Sequence, residues 1–195
     1  MPHPIRSVAV FCGTRPGHDP AHRAAAEALG AGLARAGMQL VYGGGSIGLM
    51  GVVAEAALQA GGKVTGVIPE FLTRIERVFP AAADLEITTS MHSRKTRMFE
   101  LADAFIALSG GLGTMDELVE IVTWKQLGLH DKPVLVLDIA GWAQPFLALV
   151  DSLVEQGFVP ADNRLLFEVA GSVEEALARL ERASTPEGAA PATRL

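Results

Sequence analysis

Short apolar runs that alternate with stretches of helical periodicity constrain this chain more than any other feature. Ser7–Phe11, Gln39–Tyr42, Val64–Ile68, Leu85–Thr88, Ala104–Leu108 and Val134–Leu137 read as strands, with a weaker one near Leu166–Val169. Helical patterns occupy about 19–36, 47–60, 91–102, 114–128, 143–156 and 173–182. Short, mostly apolar strands of this kind, separated by helices, imply βαβ units and a parallel sheet covered on both faces. Right-handed crossovers then make the expected fold a single-domain α/β sandwich, Rossmann-like and doubly wound, with a parallel sheet of about seven strands. The domain is expected over residues 1–183. The segment 184–195, rich in Ala, Pro and Thr, is expected to be a frayed or disordered tail.

Composition narrows the classes further. With 49% hydrophobic and 19% charged residues the chain is globular, and 195 residues bury a full core without staples. A net charge of −6 argues against a general nucleic-acid binder, so an anion site must come from local design. No apolar run approaches the ~18 residues of a membrane span. The single Cys12 forms no intramolecular disulfide, which suits a reducing cytoplasm, and it reads as a small packing residue at the end of the first strand.

In a doubly wound sheet the strand-to-helix turns share one edge, and ligands bind there. Three such turns stand out. Cys12-Gly13-Thr14-Arg15-Pro16-Gly17 offers amides and a hydroxyl, although a plain turn accounts for it equally well. In Tyr42–Gly51, the residues Gly43, Gly45 and Gly48 satisfy G-x-G-x-x-G, and Glu70 lies at a suitable distance for a ribose contact. The match follows the second strand rather than the first, so it is weak evidence for a dinucleotide, but so many glycines favour a ligand role. The third turn, Ser109-Gly110-Gly111-Leu112-Gly113-Thr114, joins an apolar strand to a helix expected from about Thr114. Bare amides and a helix N-terminus carrying about half a positive charge make a phosphate cradle. Two glycine turns on one edge suggest a nucleotide with phosphate on one and nucleoside near the other. Thr114 and Glu117 also fit a capping box, so Glu117 reads either as a cap or as a carboxylate aimed into the crevice.

The pattern Met91-His92-Ser93-Arg94-Lys95 opens a helix whose apolar stripe, through Met98 and Leu101, includes Arg94. Arginine enters a core only with an anionic partner. Arg94 therefore either snorkels or pairs with a structural carboxylate, or it faces the crevice and meets a phosphate or catalytic carboxylate. Glu117 and Glu120 share a face of the next helix, and like charges there raise at least one pKa. Glu120 as solvated surface remains an alternative. Asp116 is expected to point elsewhere, as a favourable first-turn charge. The long connection Pro69–Ala83, with Glu70, Phe71, Arg74, Arg77 and Phe79, has the length of a functional lid.

Tyr42–Gly51, Met91–Lys95 and Ser109–Glu117 together resemble the LONELY GUY family, cytokinin riboside 5′-monophosphate phosphoribohydrolases long mislabelled as lysine decarboxylases. The resemblance spans roughly residues 6–182, and one departure stands in it: the proline that usually opens the glycine motif is Ser109 here. The resemblance implies Arg94 and Glu117 as the catalytic pair. It implies 5′-phosphate binding by Gly110, Gly111, Leu112, Gly113 and Thr114. For the nucleoside pocket the expected residues are Gly43, Gly44, Gly45, Glu70, Met91, Lys95 and Glu120. It further implies a homodimer with no metal requirement, acting on a nucleoside 5′-monophosphate; no cofactor is expected, and the charge and the lack of a long apolar run lead us to expect no nucleic-acid or membrane partner. Rival readings are a non-catalytic nucleotide or cofactor carrier on the same fold, and an NAD-dependent oxidoreductase built on the G-x-G-x-x-G match. A decarboxylase of the pyridoxal type needs a Schiff-base lysine, and none of Lys63, Lys95, Lys125 and Lys132 sits in a pattern that marks one.

Overall fold

The computed structural model describes residues 3–74 and 84–185. Seven strands form one parallel sheet in the order β5-β4-β3-β2-β6-β7-β8. These are β2 (Ser7–Phe11), β3 (Gln39–Tyr42), β4 (Val64–Pro69), β5 (Asp84–Thr88), β6 (Ala104–Ala107), β7 (Val134–Leu137) and β8 (Glu168–Ala170). A two-residue β1 (His3–Pro4) pairs antiparallel with β9 (Ser184–Thr185), so the expected tail begins with a strand and the rest of it lies outside the described residues. The helices are α1 (Pro20–Arg35), α2 (Gly48–Gln59), α3 (Glu70–Thr73), α4 (Met91–Leu101), α5 (Leu112–Gln126), α6 (Gln144–Glu155) and α7 (Val173–Arg182).

Period-two alternation divides the inner strands between two cores, while the edge strand β5 is largely exposed. Val8, Val10, Leu40 and Ile106 pack under α1, α2 and α7 against Leu29, Val53 and Leu180. Ala9, Phe11, Val41 and Phe105 face the other way, onto Met98, Phe99, Leu118 and Trp124 of α4 and α5. With both faces covered, the open edge is the carboxyl end of the strands. There β2 lies between β3 and β6, and the chain departs from it in opposite directions. Such a switch point leaves a crevice.

The strand expected near Leu166–Val169 falls at Glu168–Ala170, because Leu166 closes a 3₁₀ turn over Ala161–Leu165. Part of the connection Pro69–Ala83 is the short helix α3, capped by Arg74; residues 75–83, including Arg77 and Phe79, lie outside the described residues.

Candidate active site

The two glycine-rich turns have different fates. Helix α5 starts at Leu112, two residues before the expected Thr114, with Gly111 as its N-cap and no side-chain cap. The capping-box reading of Thr114 and Glu117 is thereby overturned. Thr114 lies inside the first turn and is buried, and Glu117 lies in the second turn, too far along to reach an end amide. An α-helix leaves its first four amides without an internal partner. In α5 these belong to Gly111, Leu112, Gly113 and Thr114, and all four residues line a cavity.

At α2 the corresponding position is plugged. The Gly13 carbonyl accepts the amides of Leu49 (2.9 Å) and Met50 (3.3 Å). Gly48, at φ +61°, lies so close to the loop that a Cβ would stand 2.2 Å from the carbonyl carbon of Thr14. No pyrophosphate reaches amides already spent in this way, so the dinucleotide match is structural.

The Tyr42–Gly51 turn instead seats Arg94. The capping box of Ser90 and Ser93 starts α4, and Arg94 follows in the first turn. Its Nε donates to the Val67 carbonyl (3.0 Å) and its Nη2 to the Gly43 carbonyl (3.2 Å). Its Nη1 meets Glu117 Oε1 at 3.2 Å, with both side chains about nine-tenths buried (9% and 10% exposed). A Cβ on Gly43 would lie 2.0 Å from Nη2, so only glycine admits the guanidinium there. The fork thus ties the ends of β3 and β4 to α5, and Arg94 is the buried, paired cation rather than a snorkelling one.

The pair forms the floor of a cavity of about 280 Å³ lined also by Cys12, Thr14, Met50, Leu72, Met91 and Asp116. Burial pushes the Glu117 carboxyl up to about 7; the Arg94 charge acts against that, while Asp116 and Glu120 add to it more weakly. The expected Glu117–Glu120 repulsion is therefore a minor cause, and desolvation the main one. Burial, followed by the Glu117 charge, also pushes the Cys12 thiol up, so it stays protonated at the cavity wall.

Lys95 stands beside Arg94 and bridges to Asp116 (3.2 Å) and Glu120 (3.0 Å) on α5. Burial pulls its pKa down, but hydrogen bonds to Glu120 and Asp116 outweigh this and leave it raised. Asp116 is thus a partner of Lys95 on the cavity rim, against the expectation that it points elsewhere. Glu120 belongs to this ion pair rather than to open surface.

Of the expected nucleoside-pocket residues, Met91 lines the cavity and Lys95 and Glu120 brace its rim. Gly43, Gly44 and Gly45 are buried and are not among the residues lining the cavity; Gly43 lies against Arg94 and Gly44 against Ile68. Glu70 is exposed and pairs with Arg74, and the residue of its helix that reaches the cavity is Leu72. Gly110 lies on a second, larger lobe of about 580 Å³, which shares Gly13, Thr14, Gly111 and Leu112 with the first and extends to Arg15, His22, Ser109 and Trp142. Sequence reasoning gave His22 and Trp142 no role. The available signal was position alone, since both flank turns at the carboxyl edge of the sheet.

Fold and site together define a doubly wound α/β protein whose switch-point crevice joins an open helix N-terminus to a buried arginine–glutamate pair. The profile of the family described as "Possible lysine decarboxylase" matches residues 50–180. The cytokinin riboside 5′-monophosphate phosphoribohydrolase LOG of Oryza sativa subsp. japonica is 43% identical over 177 residues, covering 91% of this chain and 73% of that protein. The cytokinin riboside 5′-monophosphate phosphoribohydrolase of Rhodococcoides fascians is 43% identical over 176 residues, covering 90% and 89%. The chain belongs to this family, the LONELY GUY family that its motifs resemble. Among solved structures, the molybdenum cofactor carrier protein of Chlamydomonas reinhardtii superposes with a TM-score of 0.66 at 24% identity, covering 91% of this chain and 96% of that one. The molybdenum cofactor binding protein of Rippkaea orientalis gives 0.68 at 22% identity, covering 93% and 98%. At these identities the likeness concerns the fold.

Proposed function

We propose that the chain hydrolyses the N-glycosidic bond of adenosine 5′-monophosphates of the N6-modified, cytokinin type, giving free base and ribose 5-phosphate. The observation that carries this reading is the buried Arg94–Glu117 pair at 3.2 Å on the floor of a cavity lined by Gly111, Leu112, Gly113 and Thr114, the start of a helix with no side-chain cap. The amides take the 5′-phosphate, where backbone donors and the helix dipole favour an anion. Glu117 follows Leu112 by five residues, about 7.5 Å along the helix axis, which a ribose 5-phosphate spans.

As the C1′–N bond breaks, its electron pair leaves with the base and positive charge builds on the ribose ring. The Glu117 carboxylate stabilises that charge and orients the water whose oxygen forms the new bond to C1′; that water sheds a proton as it bonds, and the departing base takes one up to leave as the neutral free base. Arg94 holds Glu117 ionised against its desolvation and fixes its rotamer through two carbonyl anchors. Remote binding of the phosphate positions the scissile bond.

None of the four lysines lines this cavity. Lys95 is engaged by two carboxylates, and Lys132 is buried with its ammonium 2.7 Å from the Phe99 carbonyl. A Schiff-base role finds no candidate here. We further propose a homodimer working in the cytoplasm without a metal or cofactor. The dimer is supported by the family resemblance and by the exposed Leu149, Phe158 and Leu165 on α6 and the segment after it. Among the described residues no helix is long and apolar enough to cross a membrane.

The test is incubation with isopentenyladenosine 5′-monophosphate, AMP and the unphosphorylated riboside, followed by chromatography. Free base and ribose 5-phosphate from the N6-modified monophosphate, with the riboside untouched, is the expected result. Intact nucleotide in every incubation, with binding still measurable, would move the assignment to a carrier.

A further inference from the structure

The turn that presents the amides is anchored from behind at three points. The Ser109 carbonyl accepts the Gly13 amide (3.0 Å), Ser109 Oγ meets Nδ1 of His22 (2.8 Å), and the Gly110 carbonyl accepts Nε1–H of Trp142 (2.9 Å). In a trans peptide the N–H points opposite to the C=O of the preceding residue. Fixing the Ser109 and Gly110 carbonyls therefore fixes the directions of the Gly110 and Gly111 amides.

The Gly13 bond is backbone to backbone and persists under side-chain substitution. The other two depend on side chains brought from far away, His22 from the start of α1 and Trp142 from the β7–α6 turn. A proline opening this motif would lock φ near −65° and restrain the turn by itself. Ser109 lacks that lock, and its hydroxyl is the atom that His22 holds.

We propose that His22 is a positioning residue for the phosphate turn, restoring through Ser109 Oγ the restraint that a proline would supply. Trp142 supports the same turn from its other carbonyl. Neither side chain touches the reacting atoms: they line the larger lobe, on the far side of the turn from Glu117. This inference rests on the proposed function only in assigning the turn to a 5′-phosphate.

The test measures ribose 5-phosphate binding by calorimetry alongside steady-state kinetics with isopentenyladenosine 5′-monophosphate. His22→Ala is expected to raise both Kd and KM about fivefold, the effect of one neutral hydrogen bond, with kcat held within about twofold. His22→Asn, whose amide nitrogen falls where Nδ1 lies, is expected to restore both values. The double variant His22→Ala/Ser109→Pro is expected to restore them by the other route. An unchanged Kd in His22→Ala overturns the proposal. So does a loss that neither His22→Asn nor Ser109→Pro repairs, because damage to α1 rather than a released turn then explains it. A wild-type protein that binds ribose 5-phosphate in this His22-dependent manner yet cleaves no nucleotide refutes the hydrolase reading and supports the role of His22.

Discussion

Replacing Glu117 by Gln is expected to make the protein more stable above neutral pH while lowering turnover by orders of magnitude. Burial holds the Glu117 carboxyl near 7 in the fold, against 4.5 when exposed. Because the folded value is the higher, the protonated form stabilises the fold. That stability is complete below about pH 4.5 and is lost as pH rises through about 7. Above pH 8 the ionised carboxylate therefore costs about 3 kcal/mol. Glutamine mimics the protonated acid and keeps an acceptor for Arg94 Nη1, so it removes that cost. For a chain of this length the gain raises Tm by about 6–12 °C. His130 runs the opposite way in the same window: burial pulls its imidazole down to about 4, so its contribution is lost as pH falls from 6.5 through 4. The difference between Glu117→Gln and wild type cancels His130 and isolates Glu117. Thermal denaturation of both proteins at pH 4.5 and pH 8.5 supplies it. Curves that coincide at pH 4.5 and separate at pH 8.5 are predicted, with kcat down by about 10²–10⁴-fold and nucleotide affinity retained. A variant that is less stable at pH 8.5, or shifted equally at both values, would refute the desolvation argument.

Gly43→Ala places a methyl group 2.0 Å from Arg94 Nη2 and 2.9 Å from Met50 Sδ, so the guanidinium loses its seat. With Glu117 left unpaired, kcat is expected to fall by at least about 10²-fold and stability by about 3 kcal/mol at neutral pH, measured by kinetics and denaturant titration. The pH–rate profile of kcat/KM is expected to fall about tenfold per pH unit below about 7 as Glu117 protonates. Arg94→Met, which removes the charge opposing that protonation, is expected to move the limb to higher pH in the same assay. Asp103 accepts the amides of Arg6 and Ser7 and the Ser7 hydroxyl at 2.9–3.1 Å, far from the crevice. Asp103→Ala is expected to cost about 2 kcal/mol in chemical denaturation and to leave kcat unchanged.

The architecture was legible because it is written locally. Apolar tetrads such as Ala104–Ala107 and Val134–Leu137 are buried on both faces, and right-handed crossovers with the strand order set which side of the sheet each helix covers. Arg94 betrayed itself for the same reason, as a cation on an apolar stripe. What local pattern could not show was which amides remain open. Capping-box spacing at Thr114 and Glu117 is real, but the turn tightens at Gly111 and the helix begins before it. The G-x-G-x-x-G at Gly43, Gly45 and Gly48 is equally real. Its helix amides are consumed by Gly13, about 36 residues upstream, and its first glycine is occupied by an arginine 51 residues downstream. Asp116 carries no local sign of its place on the rim, because its partner Lys95 lies on another helix. Ser109 and His22 stand 87 residues apart, and nothing in either segment announces the other.

Counting turnovers tests most directly whether Glu117 acts as an ionised carboxylate on a phosphate-anchored nucleotide. Wild type and Glu117→Gln would each be mixed with a hundredfold excess of isopentenyladenosine 5′-monophosphate, and free base would be counted against enzyme over time. Many equivalents of base from wild type, and less than one from a Glu117→Gln protein that still binds the nucleotide, is the predicted result. Equal release by both proteins, or none from wild type with the nucleotide retained, would contradict it.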